Sequence, residues 1–221
     1  MTINCVVFAS ININSAEITR KRVLEIGSYN VNGSIRPLIE RYNPAEYLGV
    51  DIENGPGVDI KCDIQDLLPR FGENSFDFVV STEMLEHIRD WRQAIHIIKS
   101  LCRPGGVILI TTRSIGFPYH GYPHDYWRFE YDDLKVIFKD LKIASIEKDS
   151  PEAGIFIKCI KPDDFKEADF SGYEVYSILS DKRVRELSDK LLFRLRIRLL
   201  TLRDDLRYYL RKAIDKILFI K

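Results

Sequence analysis

Val23-Leu24-Glu25-Ile26-Gly27-Ser28-Tyr29-Asn30-Val31-Asn32-Gly33-Ser34 decides the fold. A short apolar run ends in a carboxylate and a glycine, a glycine-containing turn follows, and Ser34 then starts a helix. That is a strand feeding a tight loop at the head of a helix, the place where α/β proteins hold nucleotide-like ligands. Tyr47-Leu48-Gly49-Val50-Asp51 is a second short strand ending in an acid. Asp51 follows Gly33 at close to the interval of about 20 residues expected of a carboxylate that binds a ribose hydroxyl.

Outward from this stretch, apolar runs alternate with helix-like segments. Strands are expected at Val23–Ile26, Tyr47–Val50, Val58–Cys62, Phe76–Val80, Val107–Thr111, Ile143–Glu147 and Ile155–Ile160, with helices at Ser34–Tyr42, Ile88–Leu101 and Tyr131–Lys139. Phe76-Asp77-Phe78-Val79-Val80 suits a strand covered on both faces. Strand–helix alternation argues for a doubly wound, mostly parallel seven-stranded α/β sheet. Pro104-Gly105-Gly106 stops one helix and starts the next strand. The expected domain spans residues 1–162. The polar stretch 163–180, with Gly172, reads as a linker, and 181–221 reads as a helical tail. In that tail Val184, Leu187, Leu191, Leu195, Leu199, Leu202, Leu206, Leu210, Ile214 and Ile217 recur three or four apart, an apolar seam on a helix.

The 221 residues carry formal net charge +0, so bulk charge does not mark the chain as a polyanion binder. The average hides an asymmetry: Asp181 to Lys221 holds 13 Lys and Arg against 6 Asp and Glu, net +7, and the remainder is net −7. Cys5, Cys62, Cys102 and Cys159 are scattered, which fits a reducing compartment and excludes a CxxC site. No basic residue precedes the apolar run Asn4–Ser10, so no signal peptide is expected, and no run is long enough to span a membrane. The expected location is cytoplasmic. The basic tail is read first as a contact with its own domain or a second subunit of a homodimer, and second as a peripheral membrane contact.

Five elements in order carry a family resemblance: Val23-Leu24-Glu25-Ile26-Gly27, Gly49-Val50-Asp51, Cys62-Asp63-Ile64, the run from Phe76 to His87, and Leu101-Cys102-Arg103-Pro104-Gly105-Gly106. Over Arg22 to Ile160 the chain resembles the class I S-adenosylmethionine-dependent methyltransferases, in particular the type 11 small-molecule enzymes. The resemblance implies a Rossmann-like methyltransferase fold with a C-terminal helical extension, and S-adenosylmethionine as the cofactor. Its implied binding set is Glu25, Gly27, Ser28, Gly33, Asp51, Ile52, Asp63, Ile64, Ser81 and Glu83. Asp51 would take the ribose hydroxyls, Asp63 and Ile64 the adenine edge, and Glu25 either loop amides or the cofactor's ammonium. The turn departs from the family pattern, with Tyr29, Asn30 and Asn32 where closely spaced glycines are usual; Asn tolerates left-handed backbone.

Gly116 to Phe129 follows the fifth strand and is dense in aromatics, as a small-ligand wall should be. His120 and His124 are the base candidates, supported by Tyr122 and Asp125. The competing reading makes these histidines loop staples. A metal on His120, His124 and Asp125 is a further option, but ligand spacing on a loop is undiagnostic and none is expected. His87 is read as a packing residue. The reaction expected is methyl transfer to a small-molecule or glycan acceptor, at oxygen. An NAD-dependent oxidoreductase shares the fold class and Asp51 but needs neither Asp63 nor the Ser81–His87 cluster. A catalytically inactive binding protein is the other alternative. Nucleic acid is disfavoured as a substrate: Ser81-Thr82-Glu83-Met84 lacks the Asn/Asp-Pro-Pro-aromatic signature of base amino methylation, and the body is acidic.

Overall fold

The computed structural model describes residues 1–121, 124–149, 151–192, 202–207, 209 and 210. The strand expected first is β1 (Arg22–Ile26), and four of its five residues are buried. It pairs in parallel with β2 (Glu46–Asp51) on one side and β4 (Phe76–Thr82) on the other. Strand β3 (Ile60–Lys61) closes that edge beside β2. On the far side β4 pairs in parallel with β5 (Cys102–Arg113), which meets the antiparallel β8 (Gly154–Ile160) and then β7 (Lys142–Asp149). The order is β3-β2-β1-β4-β5-β8-β7, so all seven expected strands form one sheet.

Strand alternation sends the two faces of the sheet into two cores. Leu24, Val79 and Ile108 face one way and pack with Leu67, Trp91, Ile95 and Ile98. Those residues come from α4 (Ile64–Phe71) and α5 (Trp91–Leu101). Helix α6 (Tyr131–Ile137) adds Leu134 and Ile137 to the same layer. Val23, Phe78, Val80 and Leu109 face the other way. They are covered by α1 (Ile3–Asn12), α2 (Ser15–Ile18) and α3 (Arg36–Glu40). A layer of helices on each face is the doubly wound arrangement.

One apolar run gains an element and one expectation changes. The apolar run near the N-terminus is helix α1, which buries Cys5, Phe8 and Ala9 at helical spacing. The stretch read as a linker, 163–180, instead belongs to the body. Strand β9 (Val175–Ser177) pairs antiparallel with β6 (Trp127–Arg128) and with β10 (Lys182–Val184) in a second, three-stranded sheet. The tail therefore begins with a strand at 182–184 rather than with helix, because Val175, Ser177 and Trp127 have a buried place to go. The seam at Leu195 and Leu199 lies outside the described residues, as do Ile214 and Ile217. Leu202, Leu206 and Leu210 are exposed, so docking of the seam on its own domain is not seen there. Among the described residues no helix is long and apolar enough to cross a membrane.

Candidate active site

The carboxyl ends of β1, β2 and β4 open into one cavity of about 1040 Å³. A parallel sheet makes such a crevice where its strand order reverses, here between β1 and β4. Gly27 makes the first turn at φ +82, and a Cβ there would lie 2.7 Å from the Met84 side chain. The loop is held from within. Tyr29 N donates to Asp51 Oδ2 at 3.0 Å, and Gly33 N donates to Asn30 Oδ1 at 2.9 Å. Asn30 thus supplies a local acceptor that a glycine at that position would lack.

Glu25, Gly27, Ser28, Gly33, Asp51, Ile52, Asp63, Ile64 and Glu83 all line this cavity, as do His120 and His124. Ser81 does not. It shares the face of Val79, is buried, and ends its side chain inside the sheet's packing one position short of the strand end. Asp63 has a structural duty as well, because its Oδ1 caps α4 by accepting from Gln65 N at 3.0 Å. Ser28 Oγ is buried and makes no hydrogen bond among the described residues. Ile52 is apolar yet 48% exposed at the cavity wall.

Glu25 is nearly inaccessible at 2% exposure and accepts from the Tyr47 hydroxyl at 2.6 Å. Burial pushes its pKa up to about 7, which the Tyr47 hydrogen bond only partly offsets. Glu83 has φ +53, a left-handed conformation that costs a non-glycine residue about 1–2 kcal/mol. Its carboxylate pairs with Arg113 and accepts from Cys5 Sγ at 3.3 Å, so it is held by β5 and α1 together.

Across the cavity stand the groups from the loop after β5. Arg128 is 1% exposed and staples that loop, donating to Phe117 O at 3.2 Å and Pro118 O at 2.9 Å and pairing with Asp125. The Asp125 carboxyl is desolvated, but Arg128 and His120 hold it well below the usual carboxylate range. His120 Nδ1 lies 2.8 Å from Asp125 Oδ2, and its Nε2 lies 3.7 Å from Glu86 Oε1. Burial alone would lower the His120 pKa; the two carboxylates push it up to about 9. With both ring nitrogens facing carboxylates, His120 is poised to hold positive charge between them. His124 is exposed at the wall, its ring 5.5 Å from that of Tyr126. Tyr122 lies outside the described residues.

Sequence reasoning missed two parts of the wall and one residue behind it. Arg113 ends β5, where a strand-end position was a usable signal. Glu86 is wholly buried behind His120, and nothing local marks it. Arg185, Glu186 and Leu187 reach the cavity because β10 places them there.

Residues 6–139 match the family model described as "Methyltransferase domain". The chain is also similar to the ubiquinone biosynthesis O-methyltransferase of Parvibaculum lavamentivorans, 31% identical over 70 residues. That match takes in 32% of this chain and spans 27% of that protein's length. Among solved structures, the Burkholderia thailandensis 1,6-didemethyltoxoflavin-N1-methyltransferase with bound 1,6-didemethyltoxoflavin and S-adenosylhomocysteine superposes with TM-score 0.57 at 15% identity. It covers 72% of this chain and 79% of that one. The Haemonchus contortus phosphoethanolamine N-methyltransferase 2 in complex with S-adenosyl-L-methionine gives TM-score 0.54 at 18% identity, over 72% of this chain and 52% of that one. At these identities the likeness is one of fold.

Proposed function

This chain belongs to the methyltransferase-domain family, as a class I S-adenosylmethionine-dependent member, and from that premise we propose that it methylates an oxygen of a small-molecule or glycan acceptor. The observation that carries the reading is the continuity of the cavity. One half holds the glycine turn with Asp51 and Asp63, and the other holds Phe117, His120, His124 and Tyr126. The cofactor half fits the group by its donor set. Two strand-end carboxylates, an unpartnered buried hydroxyl at Ser28 and an exposed apolar Ile52 match a ribose diol, a polar tail and an adenine face. S-adenosylmethionine, when bound, supplies a methyl group already joined to a good leaving group. The protein is then left to orient the acceptor and, for a hydroxyl, to remove its proton.

In this reading Asp51 holds the ribose, Asp63 and Ile64 the adenine edge, and Glu25 the ammonium. Both His120 nitrogens face carboxylates and His87 is tied to the His124 carbonyl, so we assign the acceptor's proton to the exposed His124. The aromatic wall favours a flat or ring-shaped acceptor. Calorimetry with S-adenosylhomocysteine is the first test. One site should appear, and Asp51→Ala should weaken it by about 1.5–3 kcal/mol, the range for a hydrogen bond to a charged group. No binding at millimolar ligand would overturn the reading. Given an acceptor found by screening, His124→Ala should lower turnover by roughly 10²–10⁴ with cofactor affinity unchanged. Unchanged turnover would move the base role elsewhere.

A further inference from the structure

Glu86, His87 and His120 come from two separated segments, yet one ligand atom from each lies within 4.8 Å of the others. Glu86 and His87 stand in the 3-10 turn Leu85–His87 that follows β4, while His120 reaches across from the loop after β5. We propose that these three side chains hold a divalent transition-metal ion at the acceptor wall of the cavity.

Each ligand is oriented by a further contact. His87 Nδ1 lies 2.6 Å from the His124 carbonyl oxygen, which can only accept. Nδ1 must therefore carry the proton, and Nε2 keeps the lone pair. His120 Nδ1 lies 2.8 Å from Asp125, which Arg128 fixes in turn, and that leaves Nε2 directed toward Glu86. For His87 this is the usual support of a metal-ligating histidine, one ring nitrogen bound to an oxygen and the other left for the ion; the His120–Asp125 contact is an ion pair by distance, without hydrogen-bond geometry.

Glu86 supplies the independent observation. It is 0% exposed, and its Oε2 accepts from Thr112 Oγ1 at 2.8 Å. Its Oε1 makes no hydrogen bond among the described residues and stands 3.7 Å from His120 Nε2, beyond hydrogen-bond reach. A buried carboxylate oxygen left so is costly. A proton on His120 answers that cost only in part and gives His87 no role. A cation between the three answers it and uses all of them. Two imidazoles and one carboxylate suit zinc, cobalt, manganese or iron rather than magnesium or calcium. Bond lengths near 2.1 Å would bring the ligand atoms to about 3.4 Å from one another, a closure of at most about 1.4 Å in any pair and about 0.3 Å between Glu86 and His120. His87 and His120 line the cavity, so the open coordination positions face the acceptor. There the ion would lower the pKa of an acceptor hydroxyl, whose proton passes to His124 as the oxygen bonds the methyl carbon and the sulfur–methyl bond breaks to release S-adenosylhomocysteine. That role rests on the methyl-transfer reading; the metal site does not.

The test uses the untagged full-length chain, stripped with a chelator, loaded with Zn²⁺ or Co²⁺ and freed of excess by gel filtration. Elemental analysis should find about one equivalent of metal, and the cobalt form should show d–d absorption. Glu86→Gln, His87→Asn and His120→Asn should each weaken uptake by at least about tenfold, and His96→Ala, an exposed histidine on α5, should not. If Glu86→Gln fails to fold by circular dichroism, His87→Asn decides alone. Uptake below about one tenth of an equivalent, or equal uptake by wild type and all three variants, overturns the proposal. S-adenosylhomocysteine calorimetry on the stripped chain separates that failure from a failure of the methyltransferase reading.

Discussion

Glu25 combines three properties at one residue: near-complete burial, a short hydrogen bond from Tyr47, and a pKa pushed up to about 7. In the unfolded chain the same carboxyl ionises near its ordinary value of 4.5. Between those values the unfolded chain sheds a proton that the folded chain keeps. Stability contributed by the protonated carboxyl is therefore full below pH 4.5 and lost as pH rises to about 7, by an amount on the order of 3 kcal/mol. Glu25→Gln should remove that decline, as urea titrations across this pH range would show. If the ionised carboxyl holds the cofactor's ammonium, affinity for S-adenosylhomocysteine should rise about tenfold from pH 6 to pH 8. Tyr47→Phe, which removes a hydrogen bond that favours the charged form, should move the inflection higher. A flat profile would assign Glu25 to the loop alone. Much of this residue scale was readable, because strand-end acids and turn glycines are set by local spacing. Ser81 lies off the cavity because a one-residue shift along a strand turns a side chain to the other face. Glu86 and Arg113 were not read at all, since their partners lie in other segments.

At the scale of elements, Arg92 on α5 ties the former linker to the body. Its guanidinium donates to Arg185 O at 2.7 Å, to Phe170 O at 3.3 Å and to Tyr173 O, and lies 4.4 Å from the Trp91 ring. Arg183 and the Tyr173 hydroxyl both reach Asp133 on α6. Arg92→Ala should cost about 1.5–3 kcal/mol, the range for a hydrogen bond to a charged group. The melting temperature should fall by several degrees, and limited proteolysis between 163 and 187 should quicken. Unchanged proteolysis there would mean that β9 and β10 hold the segment without this residue. The seven strands of the large sheet were legible because buried β-branched runs bounded by turns have no good alternative. Helix α1 was not, since its apolar residues lie on both faces: Ile3, Val7 and Ile11 are exposed opposite Cys5, Phe8 and Ala9. Helix α4 hid behind Pro69. The short strands β6, β9 and β10 were illegible because two or three residues carry no period, and only their long-range pairing defines them.

For the whole molecule, the boundary between catalytic body and tail decides which part of the chain is needed for binding. Composition placed that boundary at 181, where basic residues begin to accumulate. The fold places it later. β10 completes the second sheet, and Arg185, Glu186 and Leu187 form part of the cavity wall. Arg89 holds the same stretch by donating to Leu187 O at 3.0 Å and pairing with Asp189 at 2.5 Å. Beyond α7 (Asp189–Leu192) no described residue lines the cavity. Two truncations therefore have different expected outcomes. A chain ending at Leu192 should keep the melting temperature and the S-adenosylhomocysteine affinity of the full chain. A chain ending at Ser180 should lose β10 and one cavity wall, bind more weakly and melt earlier. Calorimetry and thermal melts on the two proteins measure both quantities. Equal behaviour of the two truncations would return the boundary to 181 and make the cavity contacts of Arg185 to Leu187 dispensable. A loss of binding already at Leu192 would place part of the site in the tail itself.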